Sequence, residues 1–481
     1  MTNKLKLHIF SLFFFSSIMG VQCTEEPEII PPPPVTGKEV DVTLFLSTYN
    51  GIAKFSRQNV TFTEASENSY PTITINPDDR FQEMDGFGFT LTGGSAMHLS
   101  RMSHAGRAKI LNELFAHDDE NIGVSYLRIS IGASDLDVAP FSYNDLPQGE
   151  TDEEMLQFSL DPDRQYLIPI LNDILAINPD IKILGSPWSA PTWMKTNGAT
   201  IGGELKPEFY EAYARYFVKY IEGMAAEGIT IDAITIQNEP LHPGNNPSMY
   251  MPAVDQAEFI KTSLGPALEA AGIKTKIIIY DHNADRTDYP IGILNDPDAK
   301  KFVDGSAFHL YGGEIGNLSE VHNAHPDKNL YFTEQWIGAP GNFGEDMLWH
   351  MQNLIIGAPR NWCKNVLEWN LAANSNLEPH TSGGCTECLG ALTIDGDIVT
   401  RNPAYYIIAH ASKFIRPGAV RINSNMPSGL PNVAYQTTDG DIVIIVLNAS
   451  DITQSFNIEW NEVLITPTLE AKSVGTFIWK N

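Results

Sequence analysis

Between residues 85 and 415 the chain repeats one pattern, a short apolar run that ends in polar or aromatic residues. The apolar stretches are nearly continuous, which is typical of parallel strands that are covered on both faces. Eight such runs predict eight strands, at residues 86–92, 124–132, 181–188, 233–240, 276–282, 303–311, 330–336 and 366–373.

Most segments between these strands have the apolar spacing of amphipathic helices. The clearest are residues 165–178, 207–228 and 256–272, and Gly228 is a candidate C-cap for the second of them. The exception is the connection between Tyr311 and Leu330, which is short and polar. Eight repeats of strand and helix predict an α/β fold, a (β/α)8 TIM barrel.

A doubly wound open sheet is the competing fold. It usually carries a glycine-rich phosphate loop after an early strand, but GFGFTLTGGSA (86–96) is not a GxGxxG that opens a helix in the right register. This difference favours the barrel.

The two flanks of the barrel carry β patterns. Apolar and polar residues alternate between residues 40 and 76, and after residue 418 short strands alternate with turns such as Asp439-Gly440. We therefore expect one β-sandwich domain formed from both chain ends. The expected division is a signal segment (1–23), a Pro-rich linker (24–39), N-terminal sandwich strands (40–78), the barrel (79–416) and the C-terminal sandwich (417–481).

The N-terminus has the features of an export signal. Lys4 and Lys6 precede an apolar run at residues 9–20 that is too short to span a bilayer, and Cys23 follows. This order predicts a lipoprotein that is cleaved before Cys23 and carries lipid on its sulfur, at the outer membrane, on the cell surface or in the periplasm. The alternative is a plain secretory signal, since Gln22 departs from the small residue usual before a lipidated cysteine.

The charge balance narrows the class of partner. With 31 basic and 59 acidic residues the net charge is −28, which repels nucleic-acid phosphates and anionic membranes. We therefore expect no nucleic-acid partner, and membrane contact only through the N-terminal lipid. A neutral carbohydrate is compatible with this surface.

Three cysteines remain outside the signal segment. Cys385 and Cys388 form a single CxxC in a glycine-rich stretch, without the second ligand pair that a structural zinc site needs. In an exported protein this spacing favours a local disulfide and leaves Cys363 free and buried. We expect no metal and no cofactor.

The carboxyl ends of all barrel strands meet at one mouth, where barrel sites are built. Two carboxylates, an amide and several aromatic rings at these ends are the groups that glycoside hydrolysis uses. The strand-end residues are Arg128, Asp135, Trp188, Asn238, Glu239, His309, Tyr311, Glu334 and Trp369. They include neither a lysine for a Schiff base nor a His/Asp metal cluster, which disfavours an aldolase or a metal hydrolase.

Glu239 and Glu334 end the fourth and seventh predicted strands. A single glutamate in such a place is usually an exposed carboxylate or an ion-pair partner. Two of them in parallel contexts, QNEP and TEQW, favour a catalytic pair. Trp188 and Trp369 could equally be rim packing, and His309 could be a structural hydrogen-bonding residue.

Six motifs in order along the barrel resemble glycoside hydrolase family 30, the glucosylceramidase-like group. They are LRISIGASDLDV (127–138), LGSPWSAPTWMKTNG (184–198), TIQNEP (235–240), FHLYGG (308–313), YFTEQW (331–336) and EWNLA (368–372). The resemblance implies a barrel with a β-sandwich from both chain ends and retaining hydrolysis of a β-linked sugar.

The resemblance also implies roles for the strand-end residues. Glu239 would be the acid/base and Glu334 the nucleophile, with Arg128 supporting the carboxylates. The substrate-binding residues implied are Asp135, Trp188, Asn238, His309, Tyr311 and Trp369. For such a mechanism we expect the two carboxyl groups about 5–5.5 Å apart and a raised pKa for Glu239.

One loop departs from the glucosylceramidase pattern. Where glucosylceramidases carry a Pro-Asn-Trp loop, this chain has GGCTECLG (383–390), which resembles the β-1,6-glucanase branch. This favours cleavage of β-1,6-glucan. A glucosylceramidase-type β-glucosidase is the alternative within the family, and a non-catalytic glycan-binding surface lipoprotein is the alternative from another class.

Overall fold

The computed structural model describes residues 39–63, 68–118, 120–461 and 463–480. Its centre is a closed barrel of eight parallel strands, in which each strand pairs with the next and the last pairs with the first. In chain order the barrel strands are Gly86–Thr90, Tyr126–Ser130, Lys182–Ser186, Ala233–Thr235, Lys276–Asn283, Val303–His309, Asn329–Glu334 and Cys363–Asn370. The prediction of a TIM barrel is confirmed.

The third barrel strand shows how the interior is layered. Side chains alternate along a strand, so Lys182, Leu184 and Ser186 point to the same side. Lys182 lies at the amino-terminal end of the barrel, Leu184 in the middle and Ser186 at the mouth. Leu184 belongs to an interior apolar cluster to which seven strands each contribute one residue. The cluster is Tyr126, Leu184, Ala233, Ile278, Ala307, Tyr331 and Leu367. This apolar layer separates charged side chains at the amino-terminal end, here called the foot, from polar ones at the mouth.

The helices pack around the strands with their apolar faces inward. The α-helices are Gly93–Arg101, His104–Phe115, Asp161–Arg164, Leu167–Ile177, Tyr210–Ala226, Ala253–Phe259, Gly265–Ala270, Asp288–Leu294, Pro297–Lys300, Leu318–Ala324, Phe343–His350, Ala358–Arg360 and Pro403–Ser412. Short 3-10 turns lie at Thr192–Met194, Pro207–Phe209 and Ile315–Asn317, and π-helical turns at Ile260–Leu264 and Met351–Gly357. Gly228 has a φ of +83° just after its helix, as a C-cap requires.

Two sequence-based expectations are corrected. The polar connection between Tyr311 and Leu330 contains a helix, Leu318–Ala324, whose Leu318 and Val321 are buried. Two apolar residues one turn apart are enough to pack such a short helix against the barrel, although they make a weak periodic signal. The fourth strand ends at Thr235, well before the predicted residue 240, because the following residues leave the ladder for the mouth.

The second domain is a nine-stranded sheet drawn from both chain ends, as predicted. Its order is Ser56–Thr63, Glu39–Ser47, Val474–Trp479, Ile442–Leu447, Asn432–Gln436, Val420–Ser424, Thr72–Glu83, Asn457–Trp460 and Val463–Ile465. The strand Thr72–Glu83 extends beyond the expected boundary at residue 78 and pairs on both sides, with Val420–Ser424 and with Asn457–Trp460. An apolar core from both chain ends fills this sandwich.

Five short strand segments complete the loops of the barrel mouth and two more lie in the sandwich. Ile337–Gly338 pairs with Cys388–Leu389, and Ala372–Ala373, Leu392–Asp395 and Ile398–Arg401 form a three-stranded sheet. Gln454–Ser455 pairs with Thr468–Leu469. Within the described residues, no helix combines the length and the apolar character needed to cross a bilayer. The predicted signal segment, the linker up to residue 38 and Cys23 lie outside the described residues.

Candidate active site

Glu239 reaches the mouth because the chain bends sharply after the fourth strand. The Asn238 N–H donates to the Pro187 carbonyl at 2.7 Å, and the Glu239 N–H donates to the Asp281 carbonyl at 3.0 Å. Glu239 itself has a φ of +44°, a left-handed conformation that is uncommon for a residue other than glycine. The bend therefore depends on hydrogen bonds that the chain donates to carbonyls just after the third strand and within the fifth strand.

The two predicted catalytic carboxylates meet at one histidine nitrogen. His309 Nδ1 lies 3.0 Å from Glu239 Oε1 and 3.7 Å from Glu334 Oε1. These two carboxylate oxygens therefore lie less than about 7 Å apart, a bound that accommodates the separation of about 5–5.5 Å found in retaining glycosidases.

Glu334 is oriented by two side-chain donors. Arg128 Nη1 donates to Glu334 Oε2 at 2.5 Å, and Tyr311 Oη donates to Glu334 Oε1 at 3.0 Å. Arg128 is fully buried, so this charge-assisted contact is shielded from water. One carboxylate oxygen is thus fixed by a cation and the other by a phenol.

Asp281 is the centre of the buried network, although it was not among the predicted site residues. It lies in the strand Lys276–Asn283 and forms an ion pair with Arg128 at 2.8 Å. The side chains of both residues have no exposed surface. The Asp281 carboxylate also accepts from Ser186 at 2.6 Å, Thr235 at 2.8 Å, Thr333 at 2.6 Å and His309 Nε2 at 3.1 Å. A sequence signal for Asp281 was present, because the predicted strand KIIIYDH (276–282) ends in polar residues, Asp and His, like the other strands that contribute to the site.

Opposing effects set the pKa of Asp281. Burial raises it, but the positive charge of Arg128 and the hydrogen bond from His309 lower it well below its usual value. The centre of the mouth therefore carries a fixed negative charge that orients Arg128 and His309 toward the two glutamates.

The expected raised pKa of Glu239 is wrong for this structure. Burial does raise the pKa of Glu239, but His282 and His309 outweigh it and lower the pKa below its ordinary value. For His309, burial lowers the pKa, whereas the charge of Glu334 and hydrogen bonds with Asp281 and Glu239 raise it to about 9. One proton is therefore held between Glu239 and His309, mainly on the histidine.

Glu239, His282 and His309 also form a cluster with the composition of a metal site. Their ligand atoms all lie within 4.8 Å of one another, so the expectation that the strand ends lack such a cluster is wrong. His309 Nδ1 contacts Glu239 at 3.0 Å, and a pKa of about 9 keeps that imidazole protonated at neutral pH. A metal ion would have to displace this proton.

A cavity of about 330 Å³ opens beside the two glutamates. Its lining residues are Asp135, Trp188, Glu239, His242, Asn245, Tyr311, Glu334, Trp336, Trp369, Cys385 and Cys388. The other predicted residues, Arg128, Asn238 and His309, lie outside this lining. His242, Asn245 and Trp336 were missed, although Trp336 ends the predicted strand 330–336 and the other two follow the predicted strand end at residue 240 within a few residues.

The two predicted tryptophans pack together at the cavity wall. The ring centroids of Trp188 and Trp369 are 5.3 Å apart, and the Arg128 guanidinium lies 4.8 Å from the centre of the Trp188 ring. Trp188 is only 1% exposed, so its ring is packed against Arg128, Trp369 and other buried neighbours. Rim packing and cavity lining are therefore combined in the same side chains.

Asn238 and Asp135 present opposite hydrogen-bonding character. Asn238 Oδ1 accepts from Arg128 at 2.7 Å, which leaves its amide N–H groups as donors. Asp135 Oδ2 accepts from the Cys385 N–H at 3.1 Å, and burial together with the charge of Glu334 raises the pKa of Asp135 to about 7. Cys385 and Cys388 are joined in a disulfide, and Cys363 is free and buried.

Comparison with known proteins assigns a family to each domain. The glycosyl hydrolase family 30 TIM-barrel domain matches residues 84–415, and the glycosyl hydrolase family 30 beta sandwich domain matches residues 418–477.

Whole-chain relatives point in the same direction. An endo-1,6-beta-D-glucanase of Neurospora crassa is 35% identical over 84% of this chain and 84% of its own length. The lysosomal acid glucosylceramidase of Mus musculus is 28% identical over 85% of this chain and 83% of its own. Among solved structures, the endo-beta1,6-glucanase BT3312 aligns with a TM-score of 0.84 and 36% identity, covering 92% of this chain and all (100%) of its own.

Proposed function

Because the chain belongs to glycosyl hydrolase family 30, a family of retaining β-glycosidases, we propose that it cleaves β-1,6-linked glucan by double displacement. The observation that carries this proposal is that Glu239 and Glu334 both approach His309 Nδ1 and both line a cavity that aromatic rings also line. Retaining glycosidases use such a closely spaced carboxyl pair.

In the first step Glu334 is the nucleophile. Its oxygen forms a bond to the anomeric carbon while the bond to the leaving glucose breaks, and Glu239 passes a proton to the departing oxygen. Arg128 and Tyr311 hold Glu334 in place for this attack. Asn238 donates to a hydroxyl of the bound sugar, and Asp135 accepts from another.

In the second step water attacks the anomeric carbon, the bond to Glu334 breaks, and Glu239 takes the proton of the water. The charge of Glu334 contributes to the high pKa of His309 and disappears while the ester exists. The Glu239–His309 pair therefore binds a proton less tightly in the intermediate, when Glu239 has to be available as the base.

Two relatives support the β-1,6 linkage. The Neurospora crassa protein and BT3312 are both named endo-β-1,6-glucanases and are the most similar of the proteins compared above, at 35% and 36% identity. The GGCTECLG loop, which stands where the family resemblance implies the Pro-Asn-Trp loop of glucosylceramidases, supplies two residues of the cavity lining, Cys385 and Cys388. We therefore favour a glucan over a ceramide-linked glucose, with cleavage inside the chain.

The test compares three substrates on one preparation of enzyme: β-1,6-glucan, β-1,3-glucan and glucosylceramide. We expect new reducing ends from β-1,6-glucan alone, products of several lengths, and the β-anomer as the first product seen by proton NMR. Faster release of glucose from glucosylceramide would replace this proposal with the glucosylceramidase alternative. Tight binding of β-1,6-glucan without any product would favour a glycan-binding protein.

We also propose that the protein is exported and anchored through Cys23, for which the order of Lys4, Lys6, the apolar run at residues 9–20 and Cys23 is the support. The chain would then act at the outer membrane, on the cell surface or in the periplasm. In cells fed labelled palmitate, the wild type should carry label and sediment with membranes, and a Cys23→Ser variant should do neither. A soluble, unlabelled wild type would identify a plain secretory signal.

A further inference from the structure

The disulfide between Cys385 and Cys388 lines the same cavity as the two glutamates. It joins residues only three positions apart, so it restricts the unfolded chain far less than a disulfide that closes a long loop. Its main effect is therefore expected in the folded state, where both cysteines contact the site.

The segment of residues 381–390, here called the disulfide loop, contacts Asp135 on one side. The Cys385 N–H donates to Asp135 Oδ2 at 3.1 Å, and the Thr381 N–H donates to the Asp135 carbonyl at 2.9 Å. Gly384 approaches so closely that a Cβ there would lie 2.5 Å from the Asp135 carbonyl oxygen. The backbone of the loop is thus fitted against Asp135.

On the other side the loop is attached to the segment that follows Glu334. Cys388 pairs with Gly338 in a short antiparallel ladder, and the Ala339 N–H donates to the Glu387 carbonyl at 2.8 Å. Trp336, which also lines the cavity, lies between Glu334 and this ladder. The S–S bond therefore connects the contact with Asp135 to a ladder anchored near Glu334.

We propose that the Cys385–Cys388 disulfide is a positioning element of the sugar site, which holds the Asp135 carboxylate where it accepts a hydrogen bond from a sugar hydroxyl. The inference rests on the proposed glycosidase function. A dithiol reductant would break this disulfide. The reductant gives up two electrons and two protons and becomes a cyclic disulfide, while the S–S bond breaks and two thiols form. The Cys385 N–H is then no longer held against Asp135.

Asp135 is sensitive to this loss because it is buried, at 5% exposure, near the charge of Glu334. Burial and Glu334 already raise its pKa to about 7, and the hydrogen bond from Cys385 opposes that rise. Without the bond, the pKa of Asp135 rises further and the carboxyl group becomes protonated at a higher pH. The acid limb of kcat/KM should therefore move to higher pH on reduction.

The experiment uses the oxidised full-length chain, first shown to hydrolyse β-1,6-glucan, so that failure of the proposed function is recognised before the disulfide is tested. Dithiothreitol is then added, and alkylation with mass spectrometry confirms two new thiols. We expect kcat/KM to fall at least tenfold, binding of a glucose-configured iminosugar to weaken, the acid limb to move upward, and the melting temperature to stay nearly constant.

Three variants separate positioning from general damage. The double variant Cys385→Ser/Cys388→Ser should behave like the reduced wild type and should not respond to dithiothreitol. Cys363→Ala, at the buried free cysteine of the eighth strand, should keep wild-type activity and its response to reductant. In an Asp135→Asn variant, reduction should have no further effect, because both changes act through the same carboxylate.

Several results would overturn the proposal. They are a reduced enzyme with kcat/KM within twofold of the oxidised one, an equal loss on reduction in the Asp135→Asn variant, or a loss accompanied by unfolding. Should the double cysteine variant fail to fold, reduction of the folded wild type gives the same comparison.

Discussion

The two ends of the barrel both carry rings of charged side chains beside a cavity, yet they are built differently. At the foot, a cavity of about 450 Å³ is lined by residues that include Asp85, Lys182, Asp232 and Lys276. The pair of Lys182 and Asp232 is 3.0 Å apart, and its side chains are 43% and 24% exposed. The larger of the two cavities is therefore bordered by ion pairs in contact with water.

At the mouth the cavity is smaller, about 330 Å³, but the charges beside it are buried. Arg128 pairs with Asp281 and Glu334 almost without exposed surface, and His309 links Asp281 to Glu239. Water weakens the interactions at the foot, whereas the buried groups at the mouth change each other's pKa values strongly. Burial of connected charges, rather than cavity size, identifies the candidate active site.

The largest expected effect comes from Glu334→Gln at the mouth. Removal of the proposed nucleophile should lower kcat on β-1,6-glucan by at least about 10⁴-fold, since no covalent intermediate can form. Initial rates of reducing-end release measure the loss. The matched change at the foot, Asp232→Asn, should leave kcat within about twofold, and equal losses in both variants would remove the distinction between the two ends.

Asp281→Asn should produce the largest change in stability. It removes one member of a fully buried ion pair and leaves Arg128 with less compensating charge, a loss of roughly 3 kcal/mol in the free energy of unfolding. Urea denaturation followed by tryptophan fluorescence measures this change. A loss below about 1 kcal/mol would show that the network contributes no more than a surface pair.

The pH profile should reveal the proton shared by Glu239 and His309. Because the pKa of His309 is raised to about 9, the pair keeps its proton below that pH, and kcat/KM should fall as the pH rises through about 9. In His309→Asn the proton is held by Glu239 alone, so the basic limb should move to lower pH by at least about one unit.

A control for the pH experiment lies at the foot. His325 follows the helix Leu318–Ala324, and its ring nitrogen lies 3.2 Å from Lys300 Nζ. The variant His325→Gln should keep the wild-type basic limb.

A second control uses a 2,4-dinitrophenyl β-glucoside, whose leaving group needs no proton. The wild-type enzyme should show no basic limb in its pH profile on this substrate, and an unchanged limb would contradict the shared-proton mechanism.

The smallest effect is expected from Asp232→Asn on stability. Its ion pair with Lys182 is partly exposed, so the free energy of unfolding should fall by less than about 1 kcal/mol, and less still at high salt. Urea denaturation at two salt concentrations measures it. A salt-independent loss near that expected for Asp281→Asn would mean that charges at the foot are shielded like those at the mouth.

Much of the architecture was readable from the sequence. Apolar runs that end in polar residues predicted all eight barrel strands, and the alternating flanks predicted the sandwich from both chain ends. The helix Leu318–Ala324 was not predicted, since its two buried residues give little periodicity. Boundaries of strands were also displaced, most clearly at residues 236–240, where hydrogen bonds to other strands bend the chain.

Asp281 shows why part of the site was missed. In the strand Lys276–Asn283 both Tyr280 and Asp281 have positive φ values, +75° and +62°, and the pairing register shifts between Tyr280 and His282. Such an irregularity redirects side chains away from simple alternation. Residue type and position pointed to the mouth, but the contacts of Asp281 depend on a local bend that strand periodicity does not encode.

The sequence by itself determined where along the chain the eight strands lie and which polar residues follow them, because apolar runs, polar ends and turn residues are local patterns. It therefore carried the barrel, the glutamate pair and the family resemblance. Only the tertiary structure decided which groups meet, since closing the barrel brings Arg128 within 2.5 Å of Glu334, 206 residues away. It also decided their protonation, because His282 and His309, on two other strands, outweigh the effect of burial and reverse the expected direction of the Glu239 pKa.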